Sequence, residues 1–411
     1  MFHKNRLSIF LVAYALFGMG AVIAPAVEAA VIRVINNDNL GEGFNDPTPV
    51  APVGGNTGTT LGQQRLIAFQ RAANIWAGLL SSAVLIRVGA TLDPLPCNAT
   101  AAVLGSAGPV SVLRDFSGAL RANTWYPVAL ANALHDSDLD MNEDDISATF
   151  NSAIGTTCAF PNVWYYGLDA RPPDNQTDFV SVVVHELGHG LGFLPSVNLL
   201  TGAKFFGFDD TFMLNLEHHG ASPPDYPSMT NAQRVAASTD TGNLHWVGRN
   251  VRESSGVLTD GKVGDHVQMY APNSAQTGSS VSHWDTVLTP NQLMEPFYTE
   301  PLHNPVLELP LFQDIGWTLL TTPPPPPPAT PDDYDGDGKT DLAVYRPSIG
   351  VWFIINSASF TQREQPWGLP GDIPVPGDYD RDGKTDLAVY RPSTGVWFII
   401  NSASFTQREQ P

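Results

Sequence analysis

Residues 185–189 read HELGH, and this short motif places the strongest constraint on the local fold. Two histidines four positions apart can bind one metal ion if the segment is α-helical, because helical residues i and i+4 lie on the same face. Glu186 then lies beside the metal as a general base for the attacking water. The motif therefore predicts a helix that carries a zinc site with the chemistry of a hydrolase.

The residues before the motif give two signals that disagree. Thr177 and Asp178 are good N-cap residues, and the apolar run from Phe179 to Val184 would bury a helix. Residues 182–184 are three β-branched valines, which by themselves favour a strand. We expect a helix, because the spacing of the metal ligands requires one.

A catalytic zinc site usually has three protein ligands and one open position. In the pattern HExxHxxGxxH the third histidine follows a glycine that turns the chain. Gly192 is present here, but Pro195 stands at the position of the third histidine. The third ligand must come from farther along the chain, or the site belongs to another zinc class. The histidines that follow the motif are His218, His219, His245, His266, His283 and His303.

One of these histidines lies in a distinctive context. His283 belongs to the sequence SHWD at 282–285, and Met294 follows within NQLMEP at 291–296, where a methionine in a tight turn can lie beneath a zinc site. With these motifs in this order, residues 177–317 resemble the leishmanolysin-like metzincins. In that family an HExxHxxGF helix is followed, after a long insertion, by a histidine in an HW-acidic context and then by a Met-turn.

The resemblance implies a complete catalytic centre. It assigns Glu186 as the general base and Met294 as the Met-turn residue, and its zinc ligands are His185, His189 and His283. Two weaker roles are open: Tyr298 as a donor to a developing oxyanion, and Asp285 as the partner that orients His283.

Two other zinc classes remain as alternatives for the third ligand. A gluzincin-like site would place Glu217 or Glu253 on the metal, and a class with an aspartate ligand would use Asp209 or Asp210.

The first half of the chain is interpreted around the active-site helix. Thr60–Ser81 has apolar residues at helical spacing and predicts a long amphipathic helix. Val84–Leu92 predicts a strand, and Asp145–Phe150 alternates as an edge strand does. These elements suit the upper subdomain of a metzincin, in which a strand edge holds an extended peptide by β-augmentation. We therefore expect a peptidase rather than a small-molecule hydrolase.

The acidic stretch His135–Asp145 has two interpretations. Its oxygen ligands can bind calcium, but it lacks the glycine of a tight calcium loop. A solvated acidic turn is the better-supported alternative.

The N-terminus has the form of a secretory signal. A start with Lys4 and Arg6 precedes a mostly apolar run at 7–23, and small residues near Ala29 allow cleavage. An uncleaved anchor is the alternative. No later segment is long enough to span a bilayer, so we expect no stable membrane insertion after signal removal and an extracellular protein.

The chain has two cysteines, Cys97 and Cys158. Exported proteins tend to pair their cysteines, so we expect one disulfide. Since no cysteine precedes Cys97, a cysteine switch that caps the zinc from the N-terminal side is not expected.

The charge balance limits the partners of the chain. The 41 Asp and Glu residues outnumber the 21 Lys and Arg residues, for a net charge of −20. Such a chain offers no basic patch for a phosphate backbone, so nucleic acid is not an expected partner. The expected partner of the catalytic half is a protein or peptide substrate.

The chain changes character after Trp317. The segment Thr321–Thr330 includes six consecutive prolines, which predict an extended, semi-rigid spacer. Beyond it, the segments that begin at Asp333 and Asp378 repeat with a period of 45 residues (378 − 333). They differ at two of 34 aligned positions. Such similarity indicates an internal duplication.

Each repeat begins with the pattern DxDxDGxxD, whose alternating carboxylates can converge on one hard cation. The glutamate of an EF-hand is missing, since Val344 and Val389 stand at the twelfth position. The units resemble FG-GAP or VCBS-type repeats, which form β-propeller blades and often bind calcium in these loops. The alternative is a pair of Asp-rich turns that only cap strands. The resemblance implies calcium ligands at Asp333, Asp335, Asp337, Asp341, Asp378, Asp380, Asp382 and Asp386.

Leu342–Tyr345 and Val351–Ile355 predict paired strands of one blade. Two blades cannot close a ring, and the second repeat stops at Pro411, so we expect a truncated chain or one that depends on assembly. The expected role of the repeats is attachment to a surface, glycan or protein ligand.

Together these patterns predict an α+β fold. A metzincin-like zinc protease domain, with a twisted sheet, an active-site helix and a lower subdomain, precedes an all-β pair of incomplete propeller-type repeats. The expected segments are a signal peptide at 1–29, a catalytic domain at 30–320, a Pro-rich linker at 321–331 and two repeats at 332–411.

The expected function is that of a secreted zinc endopeptidase, with Zn²⁺ and Ca²⁺ as cofactors. One alternative is a calcium-dependent surface or matrix adhesion protein with an inactive metzincin domain. Another is a zinc hydrolase of non-peptide amides.

Overall fold

The computed structural model describes residues 28–320, 332–379, 383–402 and 407–410. The signal peptide predicted for residues 1–29 lies outside these residues except for its last two positions, and so does the Pro-rich linker at 321–331. Asp380 and Asp382 of the second acidic loop also lie outside them.

The described residues form a mixed fold of α-helices and β-sheets. The helices are α1 Leu61–Ala77, α2 Val128–His135, α3 Phe179–Leu191, α4 Asn231–Ala237, α5 Arg249–Ser254 and α6 Glu308–Ile315. The strands before the linker are β1 Ile32–Asn36, β2 Ile86–Asp93, β3 Gly105–Pro109, β4 Val112–Leu113, β5 Thr124–Pro127, β6 Ile146–Asn151, β7 Val163–Tyr165, β8 Gln176–Asp178, β9 Val197–Asn198, β10 Ala203–Lys204, β11 Asp209–Asp210, β12 Leu216–His218, β13 Leu244–Trp246, β14 Lys262–Val263 and β15 His266–Gln268. The strands after it are β16 Leu342–Arg346, β17 Val351–Ile355, β18 Gln362–Pro366, β19 Ile373–Pro374, β20 Leu387–Arg391, β21 Val396–Ile400 and β22 Gln407–Gln410.

The first sheet has the strand order β1-β2-β6-β3. Strands β1, β2 and β6 are parallel, and β3 runs antiparallel to β6. The strand predicted at Asp145–Phe150 is present as β6, but its predicted place at an edge is wrong, because β6 lies between β2 and β3. The edge is β3, whose sequence GSAGP lacks the β-branched and aromatic residues that signal a strand.

Helix α1 begins where the sequence predicts and ends at Ala77, four residues before Ser81. The Thr60 side chain accepts a hydrogen bond from the Gln63 N–H and caps its N-terminus. Near its end, the Trp76 indole donates to the Val184 carbonyl oxygen at 2.9 Å. This bond joins α1 to α3 within the core.

The helix predicted around the HELGH motif is confirmed as α3. Asp178 caps it by accepting a hydrogen bond from the Ser181 N–H. The three valines at 182–184 are all buried, so tertiary packing overrides their preference for a strand. The helix ends at Leu191, and the next residue, Gly192, caps it with a φ of 124°, which favours glycine.

Aromatic rings join these elements into one core. Phe69 on α1 meets Phe150 on β6 edge to face, with 5.4 Å between ring centroids. Phe150 in turn meets Phe179 at the start of α3 at 5.2 Å. Such edge-to-face pairs add about 0.5–1.5 kcal/mol each beyond the burial of their area. The core thus holds the start of α3 against the sheet.

Residues 216–268 contain an antiparallel sheet with the strand order β12-β13-β15-β14. The chain beyond β15 stays close to the His283 segment, since the Tyr270 N–H donates to the His283 carbonyl oxygen at 2.9 Å. After α6, the Trp317 indole donates to the Leu191 carbonyl oxygen at 2.9 Å. The C-terminal side of this region is therefore bonded to the end of α3.

The two repeats form antiparallel sheets with the orders β16-β17-β18 and β19-β20-β21-β22. The predicted pairing of Leu342–Tyr345 with Val351–Ile355 is confirmed, with Leu342 opposite Ile355. The repeats share one small core that includes Trp352 from the first and Val389 from the second. Their described strands form no closed ring.

None of the helices in the described part of the chain combines the length and the apolar sequence that crossing a bilayer requires.

The expected disulfide between Cys97 and Cys158 is confirmed, with 6.0 Å between the two Cα atoms. Cys97 follows β2 and Cys158 follows β6, which are neighbouring parallel strands. The bond therefore ties together the loops at the same end of the first sheet.

Replacing both cysteines, as Cys97→Ala/Cys158→Ala, should lower the free energy of unfolding by about 2–4 kcal/mol, because the unfolded chain loses a cross-link that spans 61 residues. Urea denaturation of the full chain measures the change, and reduction of the wild-type disulfide should give a similar decrease. An unchanged midpoint in both experiments would show that the cross-link does not stabilise the fold.

Candidate metal centre and cleft

Three imidazoles converge at the centre of the first half of the chain. His185 and His189 come from adjacent turns of α3, and His283 comes from the segment after β15. Their Nε2 atoms lie 3.2 Å apart in all three pairs. Two nitrogens that bind one zinc ion tetrahedrally lie about 3.3 Å apart. The triangle therefore has the dimensions of a three-histidine metal site.

Each of these imidazoles is oriented by a backbone carbonyl oxygen on its other nitrogen. The Nδ1 atoms lie 2.8, 2.9 and 2.8 Å from carbonyl oxygens. Because a carbonyl oxygen only accepts hydrogen bonds, each Nδ1 must donate, and each Nε2 then carries a lone pair. The histidine–carbonyl pairs are His185 with Leu293, His189 with Phe193, and His283 with Ser279.

Burial holds these histidines in the neutral form. It lowers the pKa of His185 to about 4 and is the main cause that lowers the pKa of His189 to about 3. The pKa of His283 is also lowered well below its ordinary value, first by burial and then by the neighbouring imidazoles. Neutral imidazole is the form that binds metals. Three lone pairs that face one another repel, and a bound cation removes that repulsion.

Glu186 lies in the same cleft, beside the histidine triangle. It is 7% exposed, and burial raises its pKa to about 8 while a hydrogen bond from the Ala107 backbone opposes the shift. A carboxylate in this position, next to a metal site, can move protons in the reaction. The structure thus brings together the predicted ligands and the predicted base.

Met294 packs against α3 at Gly188, between His185 and His189. It is fully buried, and a Cβ atom on Gly188 would lie 2.7 Å from its sulfur. Gly188 separates the two ligands of α3, so the absence of a side chain there allows the methionine to approach. The Trp284 N–H donates to the Met294 carbonyl oxygen at 2.9 Å, which links the turn to the His283 segment. The location is that predicted for a Met-turn residue.

The motifs gave no signal for Glu308, which organises this region from the start of α6. It is fully buried, and one of its oxygens accepts hydrogen bonds from the Trp284 indole and the Met294 N–H, both at 3.1 Å. The other oxygen accepts from the Val306 N–H at 2.8 Å. Burial raises the pKa of Glu308. A glutamate in the first turn of a helix is usually explained by its favourable interaction with the helix dipole, so the sequence alone does not indicate this role.

Two residues with weaker predicted roles have other partners. The Tyr298 hydroxyl accepts a hydrogen bond from the Asp178 N–H at 3.2 Å, so it contacts the start of α3. Asp285 accepts from the Val287 N–H, while the partner of the His283 Nδ1 is the Ser279 carbonyl oxygen. Asp285 therefore does not orient His283. His283 and Asp285 lie outside the helices and strands, where no repeating geometry brings residues i and i+2 into contact.

The acidic residues of the other zinc classes are also engaged elsewhere. Glu253 bonds to Arg249 at 2.7 Å on the surface, and Asp209 pairs with Lys204. Asp210 accepts hydrogen bonds from the Ser196 and Met213 N–H groups. Glu217 lies beside His219 and His266, in a separate group. The geometry therefore favours His283 as the third ligand.

The acidic stretch at 135–145 supports the fold. The Asp145 carboxylate accepts hydrogen bonds from the Arg87 N–H and the Asn132 amide, and Asp144 pairs with Arg87. These contacts suit the interpretation of the stretch as a turn.

The candidate centre opens into a cleft of about 1110 Å³. The edge strand β3 forms one wall, and Val197–Leu200 and Ala275–Ser280 contribute to the others. The cleft therefore has room for an extended chain as well as for a small ligand.

The first acidic loop of the repeats brings three of its four predicted ligands together. Carboxylate oxygens of Asp333, Asp335 and Asp341 lie within 4.8 Å of one another. Asp337 is not in this group, and its carboxylate accepts hydrogen bonds from the Lys339 N–H and the Ser357 hydroxyl. The same loop also caps backbone groups, since both oxygens of Asp333 accept from glycine N–H groups.

The described part of the second loop has similar contacts. Asp378 accepts a hydrogen bond from the Gly383 N–H at 3.0 Å, and Asp386 accepts from the Tyr379 and Ser402 N–H groups. The corresponding atoms of the first loop make the same contacts. The described residues of the two loops therefore share these three contacts.

Comparison with known proteins finds a match for the C-terminal repeats. Residues 333–408 match the FG-GAP-like repeat family, which confirms the repeats predicted from the sequence. No curated protein and no solved structure is significantly similar to the chain. The family match does not extend to residues 30–320.

Replacing the buried carboxylate, as Glu308→Gln, should lower the free energy of unfolding by about 1–3 kcal/mol, because the amide nitrogen that replaces one oxygen cannot accept a hydrogen bond. Urea denaturation measures the change, and Glu300→Gln is the control because Glu300 is exposed. Equal stability of the two variants would contradict the role assigned to Glu308.

Proposed function

We propose that the mature chain is a secreted zinc-dependent endopeptidase of the metzincin type. The observation that carries the proposal is the triangle of His185, His189 and His283 nitrogens, 3.2 Å on each side, with Glu186 in the same cleft. Secretion is supported by the N-terminal sequence and by the Cys97–Cys158 disulfide, which suits an oxidising compartment.

The donor set supports zinc as the metal. Three neutral imidazoles and an open side toward the cleft are typical of catalytic zinc sites, whereas calcium and magnesium prefer oxygen ligands. When bound, zinc supplies Lewis acidity that activates water and polarises a carbonyl group. Its ligands are held in place before binding, because each Nδ1 is already bonded to a backbone carbonyl oxygen.

Glu186 is proposed to move the proton. In its ionised form it accepts a proton from the attacking water, and it then donates that proton to the leaving amine nitrogen. The Ala107 backbone favours the ionised form of this carboxylate, against the effect of burial. Burial raises the affinity of the carboxylate for the proton that it must carry between the two steps.

The edge strand β3 supports a peptide as the substrate. The Leu104 carbonyl oxygen accepts from the Asn151 N–H of β6, and the Val110 N–H donates to the carbonyl oxygen of Asp145, just before β6. Because hydrogen-bonding direction alternates along an antiparallel strand, the backbone groups of Gly105 and the carbonyl oxygen of Ala107 point to the open edge, while the Ala107 backbone N–H is directed at Glu186. This edge lines the cleft. An extended peptide can therefore pair with β3 by β-augmentation and pass the metal site.

The same geometry weighs against the two alternative functions. An adhesion protein with an inactive domain gains nothing from an oriented base beside three ligands. A hydrolase of small amides has no use for an exposed strand edge along its cleft. Both alternatives remain separable by experiment.

We also propose that the C-terminal repeats bind calcium and attach the enzyme to a surface, glycan or protein. The grouping of Asp333, Asp335 and Asp341 supports the calcium site, because carboxylates this close repel each other without a cation. The neighbouring carboxylates Asp341 and Asp337 contribute to the raised pKa of Asp335, after burial.

The peptidase proposal is tested with the full chain and an unstructured protein as substrate. Glu186→Ala should reduce the rate of hydrolysis by about 10²–10⁴-fold or more, because general-base catalysis is lost while the ligands remain. Removal of metal by a chelator should abolish activity, and zinc should restore it. The matched control is Glu253→Gln, which should leave the rate unchanged because Glu253 bonds to Arg249 on the surface.

Folding of the Glu186→Ala variant is checked by its thermal unfolding. It should unfold at the wild-type temperature or above it, because the substitution removes a buried carboxylate. Full activity of this variant would exclude Glu186 as the base. A folded, zinc-loaded wild type without activity would favour the adhesion protein. Rates that do not rise with peptide length, measured from a dipeptide upward, would favour the hydrolase of small amides.

The calcium proposal is tested by isothermal titration of the full chain. Asp335→Asn should remove or weaken calcium binding at the first loop, because one of three grouped carboxylates loses its charge. Asp332→Asn is the control in the same segment, since Asp332 bonds to the Tyr334 hydroxyl and lies outside the group. Calcium at about 100 times its Kd should stabilise the wild-type repeats by about 2.7 kcal/mol. No heat of binding and no stabilisation would leave the loops as strand caps alone.

A further inference from the structure

A second group of side chains that could bind a metal ion lies on the antiparallel sheet β12-β13-β15-β14. Glu217 is on β12 and pairs across the strands with His245 on β13. His245 pairs with Gln268 on β15, and His266 lies two residues before Gln268. Since residues two apart on a strand share a face, Glu217, His245 and His266 lie on the same face of the sheet. The other face carries core residues such as Trp246 and Val267.

His219 follows β12 directly and completes the group. Its Nε2 lies 3.0 Å from the Nδ1 of His266 and 3.8 Å from an oxygen of Glu217. The ligand atoms of Glu217, His219 and His266 all lie within 4.8 Å of one another. The three side chains are 22–26% exposed, so the group is partly covered and still open to solvent.

We propose that Glu217, His219 and His266 form a second zinc site, separate from the site of His185, His189 and His283. Two imidazoles and one carboxylate are a common ligand set for zinc. The nitrogen ligands exclude a preference for calcium or magnesium. The separation of the two nitrogens, 3.0 Å, is close to the separation of about 3.3 Å in tetrahedral zinc sites.

A neighbouring buried imidazole gives independent support. His245 is fully buried, and its ring stacks on that of His219 with 3.8 Å between centroids. The His245 Nδ1 lies 3.1 Å from the Asn243 carbonyl oxygen and must donate to it. Its Nε2 therefore carries a lone pair, which is buried and has no hydrogen-bond partner within the described residues. The group of Glu217, His219 and His266 therefore lies beside a buried acceptor that the described residues leave unpaired.

The position of the group indicates a structural role. His266 begins β15, and the chain that follows bonds to the His283 segment: the Asp285 N–H donates to the Gln268 carbonyl oxygen at 3.0 Å. A metal ion that links the end of β12 to the start of β15 would therefore stiffen the strand that supports the third ligand of the first site. Hydrolysis itself involves none of these three side chains.

The test counts zinc ions bound by the full chain, with calcium in excess to saturate the acidic loops of the repeats. After removal of all metal, equilibrium dialysis against zinc followed by elemental analysis should give two zinc ions per wild-type chain. The variant His219→Asn/His266→Asn should bind one, and so should His185→Asn/His189→Asn. His135→Asn is the control and should bind two, because His135 contacts Ser117 and belongs to neither group.

The outcomes separate this proposal from the catalytic one. One zinc per wild-type chain, lost in His185→Asn/His189→Asn, would overturn the second site and leave the peptidase proposal intact. One zinc lost instead in His219→Asn/His266→Asn would support the second site and overturn the catalytic assignment.

A conservative variant covers the case in which the double variant does not fold. Glu217→Gln keeps the shape of the side chain and should weaken binding of the second zinc by about tenfold or more, since it replaces an anionic ligand with an amide. The first zinc should bind with unchanged affinity. Unchanged affinity for both ions in this variant would contradict the proposed ligand set.

Discussion

The centre depends on three hydrogen bonds that each join an imidazole N–H to a backbone carbonyl oxygen. These bonds fix the tautomer of each ring, so that all three unprotonated nitrogens face one point. The carbonyl groups belong to Phe193, Ser279 and Leu293, which lie in three separate segments of the chain. The three imidazoles can therefore converge only when all three segments are folded.

Two groups connect these segments. Glu308 accepts hydrogen bonds from Trp284 and Met294 and so holds the His283 segment and the turn of Met294 together. Met294 then packs against α3 at Gly188, between the two helical ligands. The buried carboxylate of Glu308 has hydrogen-bond donors at both of its oxygens, which offsets the cost of taking it out of water. A polar network beneath the site thus sets the position of the histidines above it.

The sequence predicts the side chains of this site better than it predicts the backbone groups and the strand that surround them. The HELGH spacing requires a helix, and α3 follows it despite the three valines at 182–184. The order of motifs points to His283 and Met294, which lie together as expected. By contrast, the carbonyl groups that orient the histidines leave no trace in side-chain identity. The sequence GSAGP of the edge strand β3 carries no strand signal, and a Cβ atom on Gly105 would lie 2.9 Å from the Glu186 Cγ, so the close approach of Glu186 accounts for this glycine.

The burial of Glu186 is informative about function. A buried carboxylate costs stability, and the hydrogen bond from Ala107 opposes only part of that cost. Nothing in the packing of α3 requires an acid there, since a residue of the same shape without charge would fill the space. Strain of this kind is expected where function determines the residue. The edge strand, the oriented imidazoles and the costly carboxylate therefore have one explanation in common under the proposed function, since each would serve the hydrolysis of an extended peptide at a metal site.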